Sequence, residues 1–484
     1  MKSWAFPMVG VLLLSMLGFM VLNLLPYLGF DSAVFYYGGL LITEGRHPYL
    51  DFIDNKNPGI FYLLAVPAAI WKWNPVGAVW LWRFLELLGV WLLFRGLRRF
   101  VPGYADRALA LLCFWTAYTA LWAGTYETVY AELPEMLLVM VAVWLAAVRK
   151  RLGVAGLCIG AAMLFRQTAL LALLPVVVSG LARRTGRREW LRLCVGAALP
   201  LVVTGLFAEF QGWRAAWWRY AYGWGADYLA ESGSWTRLGE TAGHLFGNTF
   251  LFWAGLSALI WAGVALMDLW AQRRGTWRMH LLVLSWNVAG FFETALQPIA
   301  LRHHFILWLP PLTLMTAVGL ARVRALAREA GKMVYLQALV VALLITLVRP
   351  LAESAGAEWC KFTSSPDRLP VRFAGHWVQA TTSPQERILV WGMASQLYLE
   401  SHRHSASAIY FNVMLTGMDG RIKGGVAELR DRLELDLKEY RPRYVFLLSK
   451  FPFENYAPKY SSTCRRRTLE TPWSAAIPYL ECPS

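Results

Sequence analysis

Charge is scarce in this chain: only 16% of its 484 residues are Asp, Glu, Lys or Arg, while 57% are hydrophobic. That balance lies well outside the mixture of a soluble domain and points to a multispanning membrane protein. Acidic residues are the scarcer sign, 31 against 47 basic ones, for a net charge of +16. A nucleic-acid partner would need those cations on one continuous face. They sit instead in short clusters between apolar runs, as in cytoplasmic loops that anchor membrane helices, so no nucleic acid is expected. Cysteine is sparse too, six residues in all. Cys113, Cys158 and Cys194 fall in or beside apolar segments, as core residues do. Cys464 and Cys482 fall in a polar C-terminal region and can pair if that region is outside, which leaves Cys360 over. No internal repeat is visible, and many transporters are built from duplicated halves.

What is abundant is apolar runs separated by arginine. Basic clusters at Arg95 to Arg99, Arg149 to Arg151, Arg183 to Arg188, Arg273 to Arg278 and Arg322 to Lys332 go to the cytoplasmic face by the positive-inside rule. The chain must then cross an even number of times between any two of them. As one helix, residues 152 to 182 would reach roughly 46 Å against about 30 Å of hydrocarbon, so they read as a hairpin turning at Arg166 and Gln167. The same parity makes Pro58 to Trp71 a surface or re-entrant helix inside a large first external loop, residues 27–76. About eleven crossings result: 5–26, 77–94, 108–124, 133–148, 152–165, 168–182, 190–208, 247–267, 279–296, 305–321 and 333–348. The first follows Lys2 and is read as a retained helix, since it is longer than a signal h-region and no small-residue cleavage site precedes Asp31. The expected fold is an all-α multispanning domain over 1–348, N-terminus cytoplasmic, followed by a small extracytoplasmic α/β domain over 349–484. In the latter, RILVWG and RYVFLL read as buried strands and LRDRLELDLKEY as an amphipathic helix.

The candidate chemistry gathers in the external segments. Asp31 stands at the start of the apparent helix SAVFYYGGLLITEG, where a carboxylate is either an N-cap or a general base held in a fixed direction. Asp51, Asp54 and Lys56 follow in HPYLDFIDNKNPG, whose Pro48, Pro58 and Gly59 impose turns. They are packed among aromatics that include Tyr49, although such loop charges can also be simply solvated and the aromatics suit an interfacial belt. A second acidic group, Glu127, Glu132 and Glu135 in GTYETVYAELPE, can face the first loop. Arg166 at the hairpin apex and Arg302, His303 and His304 before the tenth crossing are candidate phosphate anchors, with interfacial snorkelling as the alternative. No spaced set of metal ligands is evident. The aromatic loop from Glu209 to Phe246 reads as an interfacial belt.

The pattern D…G…PY.DF.DNK.PG, with GTYETVYAE, GAAMLFRQ and HHFILWLPPL, resembles bacterial members of the C-type (GT-C) superfamily of membrane glycosyltransferases. That superfamily includes the protein O-mannosyltransferases and the aminoarabinose transferase of lipid A. The resemblance implies a polyprenyl-phosphate sugar donor and a lipid, polysaccharide or protein acceptor. It implies transfer on the outer face of the bacterial inner membrane, and inversion if a single displacement is used. It assigns Asp31 as the catalytic acidic residue, with Asp54 and Glu127 as further catalytic candidates. Asp51, Lys56, Tyr49, Glu132, Arg166, Arg302, His303 and His304 become substrate-binding candidates. Two departures stand out: the usual Asp-Glu pair is Asp31-Ser32, and Asn57 replaces a frequent proline between Lys56 and Pro58. Divalent metal use stays open, because branches of the superfamily differ in it. Two other classes compete, a transporter or flippase of lipid-linked sugars and a non-catalytic, glycan-binding membrane partner. The first lacks an inverted repeat, and only Ser32 supports the second.

Overall fold

The computed structural model describes residues 2–24, 27–122, 127–224, 226, 249–271, 276–296, 302–363, 369–420, 426–473 and 475–483. It is a helical bundle carrying a small α/β region at one end. Helices α1 (Lys2–Leu22), α2 (Phe30–Thr43), α3 (Gly59–Trp71), α4 (Val76–Leu97), α5 (Tyr104–Trp122) and α6 (Glu132–Trp144) come first. Then follow α7 (Leu152–Met163), α8 (Leu173–Ala182) and α9 (Arg187–Phe210), and later the helices Thr249–Trp270, Trp277–Ala295, Leu309–Glu329 and Met333–Thr363. Each of the eleven apolar segments contains a helix. Among the described residues four helical stretches are both long and apolar enough to cross a membrane: Val76–Leu97, Arg187–Phe210, Trp253–Trp270 and His303–Glu329.

The stretch from 152 to 182 is a hairpin, as its length requires. Helix α7 ends at Met163, Arg166 is extended at φ −151° and ψ 133°, and a 3-10 turn, Gln167–Ala172, leads into α8. Helix α3 is short and lies on α2, where two glycines permit the approach. A Cβ at Gly38 would stand 2.6 Å from Phe61 Cδ1, and one at Gly39 would stand 2.8 Å from the Leu64 carbonyl carbon. The last long helix continues past residue 348 to Thr363, so the α/β region begins with the helix Pro370–Thr381.

Its sheet has the order β1-β2-β4-β3, with β1 (Ile388–Trp391), β2 (Tyr444–Leu447), β3 (Arg465–Glu470) and β4 (Ala476–Glu481). β1 and β2 pair in parallel, Ile388 opposite Tyr444, and the β3–β4 hairpin joins antiparallel. Both parallel strands are buried along their whole length, which explains their unbroken apolar sequence. The helix Val426–Tyr440 turns Leu429, Leu433 and Leu437, four residues apart, into the core. A disulfide joins Cys464 to Cys482 across the ends of the hairpin. The α/β region is seated on the first loop: the Ile53 N–H donates to the Ala408 carbonyl at 2.8 Å, and the Ser405 N–H donates to the Tyr37 hydroxyl at 2.8 Å.

Candidate active site

Asp31 lies in the first turn of α2 and is not its cap; the N-cap position is Gly29. The cap is supplied from elsewhere in the chain. Glu127 accepts the N–H of Asp31 at 3.2 Å and that of Ser32 at 3.0 Å, and the Ser32 hydroxyl donates to it at 2.7 Å. This uses the orphan donors and the positive end of the helix as an anion site. A Cβ at position 29 would stand 2.5 Å from the Glu127 carboxyl carbon, so the approach needs glycine there. Ser32 Oγ also accepts the N–H groups of Thr128 and Val129, both at 2.9 Å. The residue that breaks the Asp-Glu pair therefore ties a second carboxylate to the same helix start. Burial first, then the neighbouring Asp31 charge, push Glu127 up to about 7, against the hydrogen bonds from Ser32 and Asp31. Among the described residues the Asp31 carboxylate accepts no hydrogen bond.

Asp54 is buried beside this pair. It accepts the Lys56 N–H at 2.9 Å and the hydroxyl of Tyr410, from the α/β region, at 3.1 Å. Burial raises it to about 6, with a smaller push from Asp31 and opposing pulls from Lys56 and Tyr410. Lys56 is half-buried and has no carboxylate in salt-bridge contact among the described residues. Its backbone is fixed from below, since the Tyr49 hydroxyl donates to the Lys56 carbonyl at 2.6 Å. Next to it, Asn57 donates to the Met163 carbonyl at 2.8 Å and accepts the Trp217 indole N–H at 3.0 Å. The Gly59 N–H bonds the Leu164 carbonyl at 2.8 Å. These bonds pin the first loop onto the tip of the α7–α8 hairpin, where Arg166 sits.

Arg166 is buried and committed. Its guanidinium is paired with Glu132 and lies 3.7 Å from Glu135, both at the start of α6. His303 and His304, in the 3-10 turn Arg302–Trp308, each place Nε2 3.8 Å from the same Glu132 oxygen. The clusters are continuous: His303 is within Coulombic range of Asp31, Glu132, Arg166 and Lys56, and Asp31 is within range of Glu127 and Asp54. Glu132, His303 and His304 offer three ligand atoms within 4.8 Å of one another. However, Arg166 uses the Glu132 oxygen that the histidines face. A divalent ion at that oxygen would compete with the guanidinium, so the set fits a metal poorly.

Other candidates fall elsewhere. Asp51 accepts the His47 N–H at 2.7 Å and faces Arg46 at 3.8 Å, closing its own turn towards the α/β region. Tyr49 is fully buried against Trp213 and supports Lys56 rather than lining the cluster. Arg302 opens the 3-10 turn, but its side chain lies outside the described residues, as do residues 227–248 of the aromatic loop. Sequence reasoning missed Tyr410, which is 356 positions from its partner Asp54, and the buried Glu293, which is within Coulombic range of Arg166 and Glu135. Neither carries a local signal. Asn57 was visible only as a departure from pattern.

No family model matches the sequence, and neither does any curated protein. Two solved structures are similar over their whole length. ArnT from Cupriavidus metallidurans in the apo state is 16% identical, with 99% of this chain and 98% of that chain covered and a TM-score of 0.57. ArnT from the same organism bound to undecaprenyl phosphate is 14% identical, with 100% and 99% covered and a TM-score of 0.51. At such identity the likeness is one of fold, and the chain has a C-type glycosyltransferase-like fold.

Proposed function

We propose that this protein is a membrane glycosyltransferase that moves a sugar from a polyprenyl-phosphate carrier to an acceptor hydroxyl on the outer face of the membrane. The observation that carries this reading is the pairing of Asp31 with Glu127 at the start of α2, with Lys56 and His303 in electrostatic range of Asp31 or its partners. One part of such a site must take a proton and another must receive a phosphate. The undecaprenyl phosphate in the similar ArnT structure supports the carrier class.

In this mechanism the acceptor oxygen attacks the anomeric carbon and its proton passes to Asp31. The bond from that carbon to the carrier phosphate breaks, and the configuration inverts. Charge developing on the departing phosphate is met by Lys56, whose ammonium makes no salt bridge to a carboxylate among the described residues, with His303 in electrostatic range. Arg166 holds Glu132, and Glu132 holds the two histidines, so the guanidinium acts as a positioning group. Glu127 fixes the start of α2 and thereby the direction of Asp31. Asp54, held by Tyr410, orders the turn that presents Lys56.

The test is Asp31→Asn and Asp31→Ala in purified protein with a panel of polyprenyl-phosphate sugars. Wild type is expected to transfer sugar, and both variants to bind donor with turnover lowered on the order of 10²–10⁴-fold. Turnover unchanged in both variants would remove Asp31 from the chemistry. Lipid-linked sugar flipped by wild type without transfer would favour a flippase.

A further inference from the structure

A cavity lies at the opposite end of the bundle, away from the site described above. It has a volume of about 270 Å³, and its walls include Leu93, Met140, Val143, Leu282, Trp286 and Leu314. Arg95 and Arg149 close one end of it. Each guanidinium stands over a tryptophan of the lining, Arg95 at 5.8 Å from the Trp91 ring and Arg149 at 4.9 Å from the Trp144 ring. Among the described residues neither arginine has a carboxylate in salt-bridge contact. One end of the cavity is thus cationic and unmatched, and the rest is hydrocarbon.

Its dimensions suit one leaflet. From Met140 to Arg149 the wall runs about 13 Å at 1.5 Å per residue, close to half of the roughly 30 Å hydrocarbon core. Glu132 and Arg149 lie about 25 Å apart along the same helical run, so the cavity is separate from the Glu132–Arg166 cluster. Arg95 and Arg149 open two of the basic clusters that the positive-inside rule assigns to the cytoplasm.

We propose that this cavity binds an anionic glycerophospholipid of the cytoplasmic leaflet, one acyl chain in the slot and the phosphate between Arg95 and Arg149. Charge complementarity chooses the occupant. An isoprenoid tail reaching in from the far leaflet would bring only hydrocarbon to the two guanidinium groups, and a zwitterionic lipid would bring its own cation to them. An anionic headgroup satisfies both ends of the site, by charge-assisted bonds at the mouth and apolar burial within.

The purified full-length protein, delipidated in detergent, is titrated with phosphatidylglycerol, phosphatidylcholine and undecaprenyl phosphate and followed by native mass spectrometry. In the double variant Arg95→Gln, Arg149→Gln, phosphatidylglycerol binding is expected to weaken on the order of tenfold or more, with phosphatidylcholine little changed. Arg98, Arg99, Lys150 and Arg151 remain to hold the orientation. Gly96→Leu tests the slot. Gly96 lines the cavity, and a Cβ there meets only Trp144 Cδ1 at 3.9 Å, so the side chain can fill the space without a backbone clash. This variant is expected to lose phosphatidylglycerol while folding normally. Phosphatidylglycerol binding unchanged in both variants would overturn the proposal. So would loss of undecaprenyl phosphate alone in Gly96→Leu, which would give the cavity to the carrier chain.

Discussion

The carboxylate of Glu127 accepts both the backbone N–H of Ser32 at 3.0 Å and its hydroxyl at 2.7 Å. A side chain 95 positions further along the chain thereby caps the helix that carries Asp31. Glu127→Ala is expected to destabilise the protein by about 1–2 kcal/mol, the worth of a lost cap, and to lower turnover by loosening Asp31. Glu127→Gln keeps an acceptor oxygen and is expected to retain most of the stability. Thermal unfolding and donor turnover, measured on both variants, separate the cap from the charge.

Ser32 is saturated with partners, so Ser32→Ala is expected to cost about 1–3 kcal/mol through the buried N–H groups of Thr128 and Val129. Ser32→Glu, which restores the Asp-Glu pair, is expected to reduce activity. The longer carboxylate has no room beside Glu127 and adds a third negative charge to Asp31. A gain in turnover from Ser32→Glu would show that Glu127 does not take the second acidic role.

The pH dependence follows from two raised carboxyls, Glu127 at about 7 and Asp54 at about 6. In both, the fold favours the protonated form, so their stabilising contribution is complete below the ordinary carboxylate range. It is lost as pH rises through 6 and then 7. Turnover is expected to move the other way, rising with pH as Glu127 ionises. The check is a pH profile of kcat/KM in wild type and Glu127→Gln, in which the limb near 7 disappears from the variant.

Arg166 balances Glu132 and lies close to Glu135. Arg166→Gln leaves buried carboxylates without their cation and is expected to cost about 3–5 kcal/mol. Arg166→Lys keeps the charge without the fork and is expected to recover part of that stability. Thermal unfolding of the two variants reads the difference.

The three-ligand set at Glu132 shares its oxygen with Arg166. Turnover is therefore expected to survive exhaustive chelation, and added Zn²⁺ to inhibit by drawing His303 and His304 together. Loss of turnover with chelator and its recovery with one divalent ion per chain would reverse this.

Local chemistry in the sequence was enough for much of the architecture. Apolar runs too long for a soluble core, arginines between them, and a segment too long for one crossing determined the helices and the 152–182 hairpin. The alternation of buried strands and an amphipathic helix determined the α/β region. Each of these is a property of a continuous stretch and is written in its periodicity or length. The motif residues Asp31, Lys56, Glu127 and Arg166 are also ones that the fold brings into one neighbourhood.

What those residues do to one another was decided only by the tertiary structure. Glu127 reaches the start of α2 from 95 positions away, and Tyr410 reaches Asp54 from 356. Arg166, a candidate phosphate anchor in the sequence, is paired with Glu132 once α6 and the α7–α8 hairpin pack. Hydrogen bonds and ion pairs act over a few ångströms, and separations of that size between distant segments arise only when the chain is folded.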